Sequence, residues 1–223
     1  MSKAIALLSG GQDSTTCLFL AKVLFDEVQV VAFDYGQRHR RELDSAARVA
    51  AIAKVPFLIY ELPALSRIGG GALTDHSQEI RTSGGLAPEL PTTFVPGRNL
   101  QFLSVAVSVA AKAGVHDIVT GVCETDYSGY PDCRREFIDA MERASRLALG
   151  GYVIRIHTPL MWLTKAETVR LASRLGADCW IAMAHTWTCY HGGERPCGSC
   201  PACEIRARGF AEAGLQDPAL SPV

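Results

Sequence analysis

Ile5-Ala6-Leu7-Leu8-Ser9-Gly10-Gly11-Gln12-Asp13-Ser14-Thr15-Thr16 decides how the rest of this chain is read. An apolar run ends in two glycines and a cluster of short hydroxyl and carboxylate residues, and a helical pattern follows at Leu18, Leu20, Ala21 and Leu24. The reading is strand, tight turn, helix. The first backbone N–H groups of a helix have no partner within it, and the helix dipole adds partial positive charge there. Such a turn is an anion site, most often for phosphate. No Lys follows the second Gly and the spacing is not G-x-G-x-x-G, which excludes the commonest nucleotide loops. The plainer alternative is a glycine turn before a helix capped by Ser14 or Asp13.

Outward from that turn, strand and helix alternate. Val28–Phe33 reads as a buried strand, 39–53 as a helix, Phe57–Leu62 as a strand, Arg98–Ala113 as a helix and Asp117–Gly121 as a short strand. Residues 133–149 read as a helix with Phe137, Met141, Ala144 and Ala148 on one face, and Val153–His157 as a strand. Thr164-x-x-Glu167 is a capping box opening a helix to about Leu175. This order predicts a doubly wound, mostly parallel α/β sheet with ligands at the carboxyl ends of its strands. Residues 66–92, rich in Gly and Pro, break the rhythm and read as a lid or a disordered insertion.

Composition narrows the function classes. The 223 residues carry 22 basic and 23 acidic side chains, so no general electrostatic grip on nucleic acid is indicated. No apolar run approaches a membrane span, and the first segment is a core strand, so a cytoplasmic location is expected. In a reducing compartment, eight cysteines point to metal or chemistry rather than disulfides. Cys189-x7-Cys197-x2-Cys200-x2-Cys203 has the spacing of a closed four-thiolate site, and one structural Zn²⁺ per chain is expected there. An iron–sulfur cluster and redox thiols are the rivals. Cys17, Cys123, Cys133 and Cys179 have no metal spacing and read as core, with Cys123 and Cys133 flanking a polar loop. The expected organisation is a nucleotide-binding domain over residues 1–180, a cysteine segment and helix over 181–215, and a frayed tail over 216–223.

Ser9-Gly10-Gly11-Gln12-Asp13-Ser14 resembles the loop of the ATP pyrophosphatase (PP-loop) superfamily, which cleaves ATP to AMP and pyrophosphate. Further motifs stand at strand ends: Phe33-Asp34-Tyr35-Gly36-Gln37-Arg38-His39, Val95-Pro96-Gly97-Arg98-Asn99, Glu124 to Arg134, and Leu163-Thr164-Lys165-Ala166-Glu167. With the cysteine cluster, in this order, they closely resemble the QueC family of 7-cyano-7-deazaguanine synthases from Ala6 to about Phe210. The resemblance implies an adenine-nucleotide α-hydrolase-like fold and an ATP-dependent ligase. Its substrates would be 7-carboxy-7-deazaguanine and ammonia, its route an adenylated carboxylate and an amide, and its product the nitrile. ATP is then a substrate and Mg²⁺ a companion ion.

Chemistry distributes the roles. Leu8, Ser9, Gly10, Gly11, Gln12, Asp13, Ser14 and Thr15 form the phosphate loop, and Phe33 and Tyr35 stand where the superfamily places adenine. Asp13 is either a Mg²⁺ ligand or a helix cap. Lys165 opens a helix, where a cation works against the dipole unless it faces an anion such as pyrophosphate, and Arg98 follows Pro-Gly in a similar setting. Asp13, Lys165 and Arg98 form the catalytic set. For the base, Glu124, Asp126 and Asp132 can accept from a guanine-like edge, Tyr127 and Tyr130 can stack, and Arg134 can pair with a carboxylate. An exposed acidic loop is the simpler reading of the same residues. A homodimer is the expected assembly, with small-molecule partners and neither membrane nor nucleic acid. A PP-loop sulfurtransferase acting on tRNA and a non-catalytic zinc-knuckle module are the competing functions.

Overall fold

The structure, a computed structural model, describes residues 1–38, 40–125 and 129–220. Five strands form one sheet: β1 (Lys3–Leu7), β2 (Glu27–Asp34), β3 (Phe57–Glu61), β4 (Asp117–Val119) and β5 (Arg155–His157). Their order is β3-β2-β1-β4-β5 and every pairing is parallel, with Ile5 opposite Gln29 on one side and Ile118 on the other. Eight α-helices connect and flank them: α1 (Gln12–Leu24), α2 (Arg41–Ala53), α3 (Pro63–Ile68), α4 (Arg98–Ala113), α5 (Arg135–Ala148), α6 (Lys165–Arg174), α7 (Ala177–Met183) and α8 (Pro201–Ala213). The strand order reverses beside β1, and the connections after β1 and β4 leave toward opposite faces. A crevice opens at that switch point.

Alternation along β1 builds both cores. Ala4, Ala6 and Leu8 point into the face covered by α1, α2, α6 and α7, whereas Ile5 and Leu7 point into the face covered by α4 and α5. Small residues on the first face let α1 and α2 approach closely. In α2, Leu43, Ala46, Val49, Ala50 and Ala53 recur at helical spacing against that core. The C-terminal segment joins the same core through Phe210 of α8.

Residues 66–92 are tied to the body. The Arg38 guanidinium donates to the carbonyls of Ala72, His76 and Gln78, and Ala72 and Leu73 are buried. The Thr92 hydroxyl accepts from the Arg81 N–H at 2.7 Å and donates to the Glu79 carbonyl at 2.8 Å. Of the expected tail over 216–223, residues 221–223 lie outside the described residues, and Asp217 is held by the body. Asp217 makes a two-pronged pair with Arg206 at 2.6 and 2.8 Å, both side chains are buried, and Arg206 also reaches Thr186 at 2.8 Å. Removing one partner of a buried pair leaves the other charge uncompensated. Asp217→Ala is expected to cost about 3–5 kcal/mol, read as a fall in urea midpoint at constant slope.

Candidate active site

The loop over residues 9–14 leaves β1 through Gly10 at φ +86°, a left-handed conformation. A Cβ there would lie 2.2 Å from the Glu42 carbonyl oxygen and 2.9 Å from the Ala46 nitrogen, so only glycine lets the turn pack against α2. Gly11 is the N-cap of α1 and no side chain caps the helix, leaving its first N–H groups for a ligand. The loop hydroxyls hold its shape. The Ser9 N–H donates to Ser14 Oγ at 3.2 Å, the two serine hydroxyls lie 3.0 Å apart, and the hydroxyls of Ser14 and Thr15 donate to the Gly11 carbonyl at 3.1 and 2.9 Å. Thr15 is fully buried and bonded back to the loop, so it shapes the turn and does not face the crevice.

Asp13 is one of the first residues of α1, and its carboxylate is no helix cap. Its Oδ2 accepts from Lys165 Nζ at 2.6 Å, across 152 residues of sequence. The other oxygen, Oδ1, is buried without a hydrogen-bond partner among the described residues. Lys165 opens α6, whose start is fixed by the Thr164–Glu167 capping box. Its stem lies against α8 so closely that a Cβ on Gly209 would sit 2.4 Å from Lys165 Cγ. The lysine is thereby aimed at the loop.

A pocket of about 300 Å³ opens in front of this pair. Phe33 and Phe102 stack at 4.4 Å and Tyr35 meets Phe102 edge-on at 5.4 Å, forming one wall. Phe33 serves the core and the pocket at once. Arg98 sits at the start of α4 over the Tyr130 ring, 5.5 Å from its centroid. The Tyr130 hydroxyl and the Thr93 hydroxyl are 2.6 Å apart. Asp132 accepts from the Asn99 N–H at 3.2 Å, and burial raises its carboxyl despite the nearby Arg98. Cys123 and Cys133 both border the pocket.

Other candidate base-recognition residues lie elsewhere. Glu124 is exposed and accepts from the Arg135 N–H at 3.1 Å, satisfying the start of α5. Arg134 is exposed as the N-cap of α5. Asp126 and Tyr127 lie outside the described residues. Sequence reasoning missed Glu42, Trp187 and Tyr190, which all line the pocket. Two aromatic residues flanking Cys189 were a usable signal, whereas Glu42 reads as one more charge in the first turn of an amphipathic helix.

Cys189, Cys197, Cys200 and Cys203 bring their sulfur atoms within 4.8 Å of one another. The Cys197 and Cys203 sulfurs are 3.9 Å apart. Tetrahedral Zn–S bonds of about 2.3 Å require sulfurs about 3.8 Å apart. The N–H groups of His191 and Cys197 point at Cys189 Sγ, each at 3.4 Å, and that of Cys200 at Cys197 Sγ at 3.3 Å. Burial works upward on the Cys197 thiol, but N–H groups of Ser199 and Cys200 outweigh it and hold it at about 6. The donor set therefore fits a thiolate-bound metal ion. The same knuckle presents Trp187, Thr188 and Tyr190 to the pocket.

Parallel strands deliver an uncapped helix start to an aromatic crevice, the arrangement of a doubly wound nucleotide-binding protein. The fold is shared with a predicted tRNA methyltransferase subunit from Methanocaldococcus jannaschii, at TM-score 0.52 and 16% identity, over 78% of this chain and 76% of that one. A family model described as queuosine biosynthesis protein QueC matches residues 3–214, and the chain belongs to that family. It is 51% identical to a 7-cyano-7-deazaguanine synthase of Laribacter hongkongensis, over 98% of this chain and 94% of the relative. A second enzyme of that name, from Chromobacterium violaceum, is 52% identical over 97% of this chain and 92% of its own.

Proposed function

We propose that this chain is an ATP-dependent ligase that converts 7-carboxy-7-deazaguanine and ammonia to 7-cyano-7-deazaguanine, in queuosine biosynthesis. The near full-length match to enzymes of that name carries the reading. A carboxylate oxygen is a poor leaving group; adenylation replaces it with AMP. Pyrophosphate leaves with concentrated charge, and the open N–H groups of α1 together with Lys165 are placed to receive it. The buried, unbonded Oδ1 of Asp13 fits a Mg²⁺ ligand. That ion, when bound, supplies neutralisation of phosphate charge. The aromatic wall of Tyr35 and Phe102 takes a flat base, and Arg98 pairs with a substrate carboxylate.

The cysteine knuckle holds one structural Zn²⁺ and fixes the Trp187–Tyr190 wall. No described helix is long and apolar enough to cross a membrane, and we assign the protein to the cytoplasm. It acts on small molecules without binding nucleic acid. Leu58 and Ile59, exposed on the edge strand β3, favour a homodimer through that edge, to be checked by light scattering.

Incubation with Mg-ATP, ammonium chloride and 7-carboxy-7-deazaguanine, followed by mass spectrometry, tests the reaction. The expected products are the nitrile, a transient amide and AMP. ATP consumption only when tRNA and a sulfur donor are supplied would replace this reading with the sulfurtransferase. Arg98→Ala is expected to raise the KM for the deazaguanine about 10- to 100-fold, roughly one charge-assisted contact. The exposed Arg134→Ala should change it less than about threefold. Initial rates at saturating ATP separate the two.

A further inference from the structure

Making an amide or a nitrile from ammonium strips protons from nitrogen, because ammonium itself has no lone pair. A base in the pocket lets the enzyme draw on ammonium, the prevailing form at neutral pH, and the described residues offer few. Asp13 is engaged with Lys165, and Asp132 accepts from the Asn99 backbone. Tyr35 and Tyr190 are driven upward by burial and remain phenols at neutral pH. Glu42 differs from all of these. It lines the pocket, half-buried in the first turn of α2, and its carboxylate has no hydrogen-bond partner among the described residues. It lines the same pocket as Asp13, Lys165 and Arg98, the residue to which the proposed function gives the substrate carboxylate.

We propose that Glu42 is the base that takes a proton from ammonium at the acyl-adenylate. The idea rests on the ligase reading above. The step balances as follows. The Glu42 carboxylate accepts one proton and becomes a carboxylic acid. The freed ammonia forms the C–N bond, and the C–O bond to AMP breaks with its electron pair leaving on AMP. Of the four ammonium protons, two stay in the amide, one is on Glu42, and one departs with AMP. The electrostatics agree with this task. Burial pushes Glu42 up to about 7, with Arg98 working in the opposite direction. The groups that face it are Arg98 from α4, Tyr35 after β2 and Tyr190 from the cysteine knuckle. On its own helix Arg41 is turned away, over the Trp187 ring at 5.2 Å. A base with a pKa near the working pH is the effective kind.

The test compares wild type with Glu42→Gln across pH 6–9, expressing amide-forming kcat/KM against total ammonium. With the base present, the rate levels off above about pH 7, where Glu42 is ionised. Glu42→Gln must use free ammonia. Its rate should keep climbing about tenfold per pH unit, and at pH 7 it should lie about 100-fold or more below wild type. Hydroxylamine, already unprotonated at neutral pH, should form the hydroxamate at similar rates in both proteins. Levelling off in Glu42→Gln, or an equal loss with hydroxylamine, overturns the assignment. If Glu42→Gln does not fold, Glu42→Asp replaces it, with ammonium use falling at least about tenfold while hydroxylamine use holds. Equal losses there also overturn it. ATP–pyrophosphate exchange dependent on the deazaguanine, without any amine, checks the ligase reading separately. Its absence in wild type would sink that reading, while its persistence in the variant keeps the two failures apart.

Discussion

Lys165→Ala is expected to lower turnover about 100- to 1,000-fold, the usual loss when one fixed cationic or N–H donor is removed from developing charge. The structure gives that number a geometric basis. Lys165 is mostly buried, opens α6 where its own helix dipole disfavours it, and touches Asp13 at 2.6 Å. Asp13 balances that charge, and an arriving anion can share it. Deazaguanine-dependent ATP–pyrophosphate exchange measures the step directly. Lys165→Arg should recover little, because a planar guanidinium does not reproduce the compact ammonium that meets Asp13 Oδ2 at 2.6 Å. A variant with unchanged exchange rate and unchanged KM for ATP would remove Lys165 from the site.

Chelator treatment, or Cys200→Ser, is expected to lower the melting temperature by about 10–20 °C. That corresponds to roughly 5 kcal/mol at about 2–4 °C per kcal/mol for a chain of this size. The segment from Trp187 to Cys203 has few apolar residues, and its buried cluster consists largely of Cys189, Cys200 and Cys203 themselves. Without a metal, three buried thiols and the turns between them have little to hold them. The consequence extends to the site, because Trp187 and Tyr190 form a pocket wall. ATP affinity should fall with metal content, tracked by elemental analysis and Trp fluorescence on the same samples. One zinc per chain is expected. If stripped protein keeps both its melting temperature and its ATP affinity, the cysteines are not structural, and redox or sulfur-carrier chemistry becomes the better account.

Much of the architecture was legible because its signals are local. The apolar run before Gly10-Gly11, the capping box at Thr164 and the helix start at Arg98 each depend on neighbours a few residues away. Their boundaries in the structure differ from the sequence reading by a few residues at most. Two helices escaped, α3 over Pro63–Ile68 and α7 over Ala177–Met183. Each has at most two turns, too few to show a period, and their helicity comes from packing. The stretch 66–92 looked like a lid because Gly and Pro mark absence of regular structure. They say nothing of Arg38, which reaches three of its carbonyls from outside.

The sequence by itself determined the parallel α/β class, the glycine turn between β1 and α1 and the cysteine cluster, each written in contiguous motifs with its own spacing. Only the tertiary structure decided the partners. It paired Asp13 with Lys165, left Glu124 and Arg134 out of the pocket lining, and brought Glu42 and Trp187 into it. The reason is physical. Spacing of a few residues sets which groups share a helix face or a turn, but a crevice at a switch point is lined from loops far apart in sequence. Which side chains meet there is fixed by how α2, α6 and the cysteine knuckle pack on the sheet.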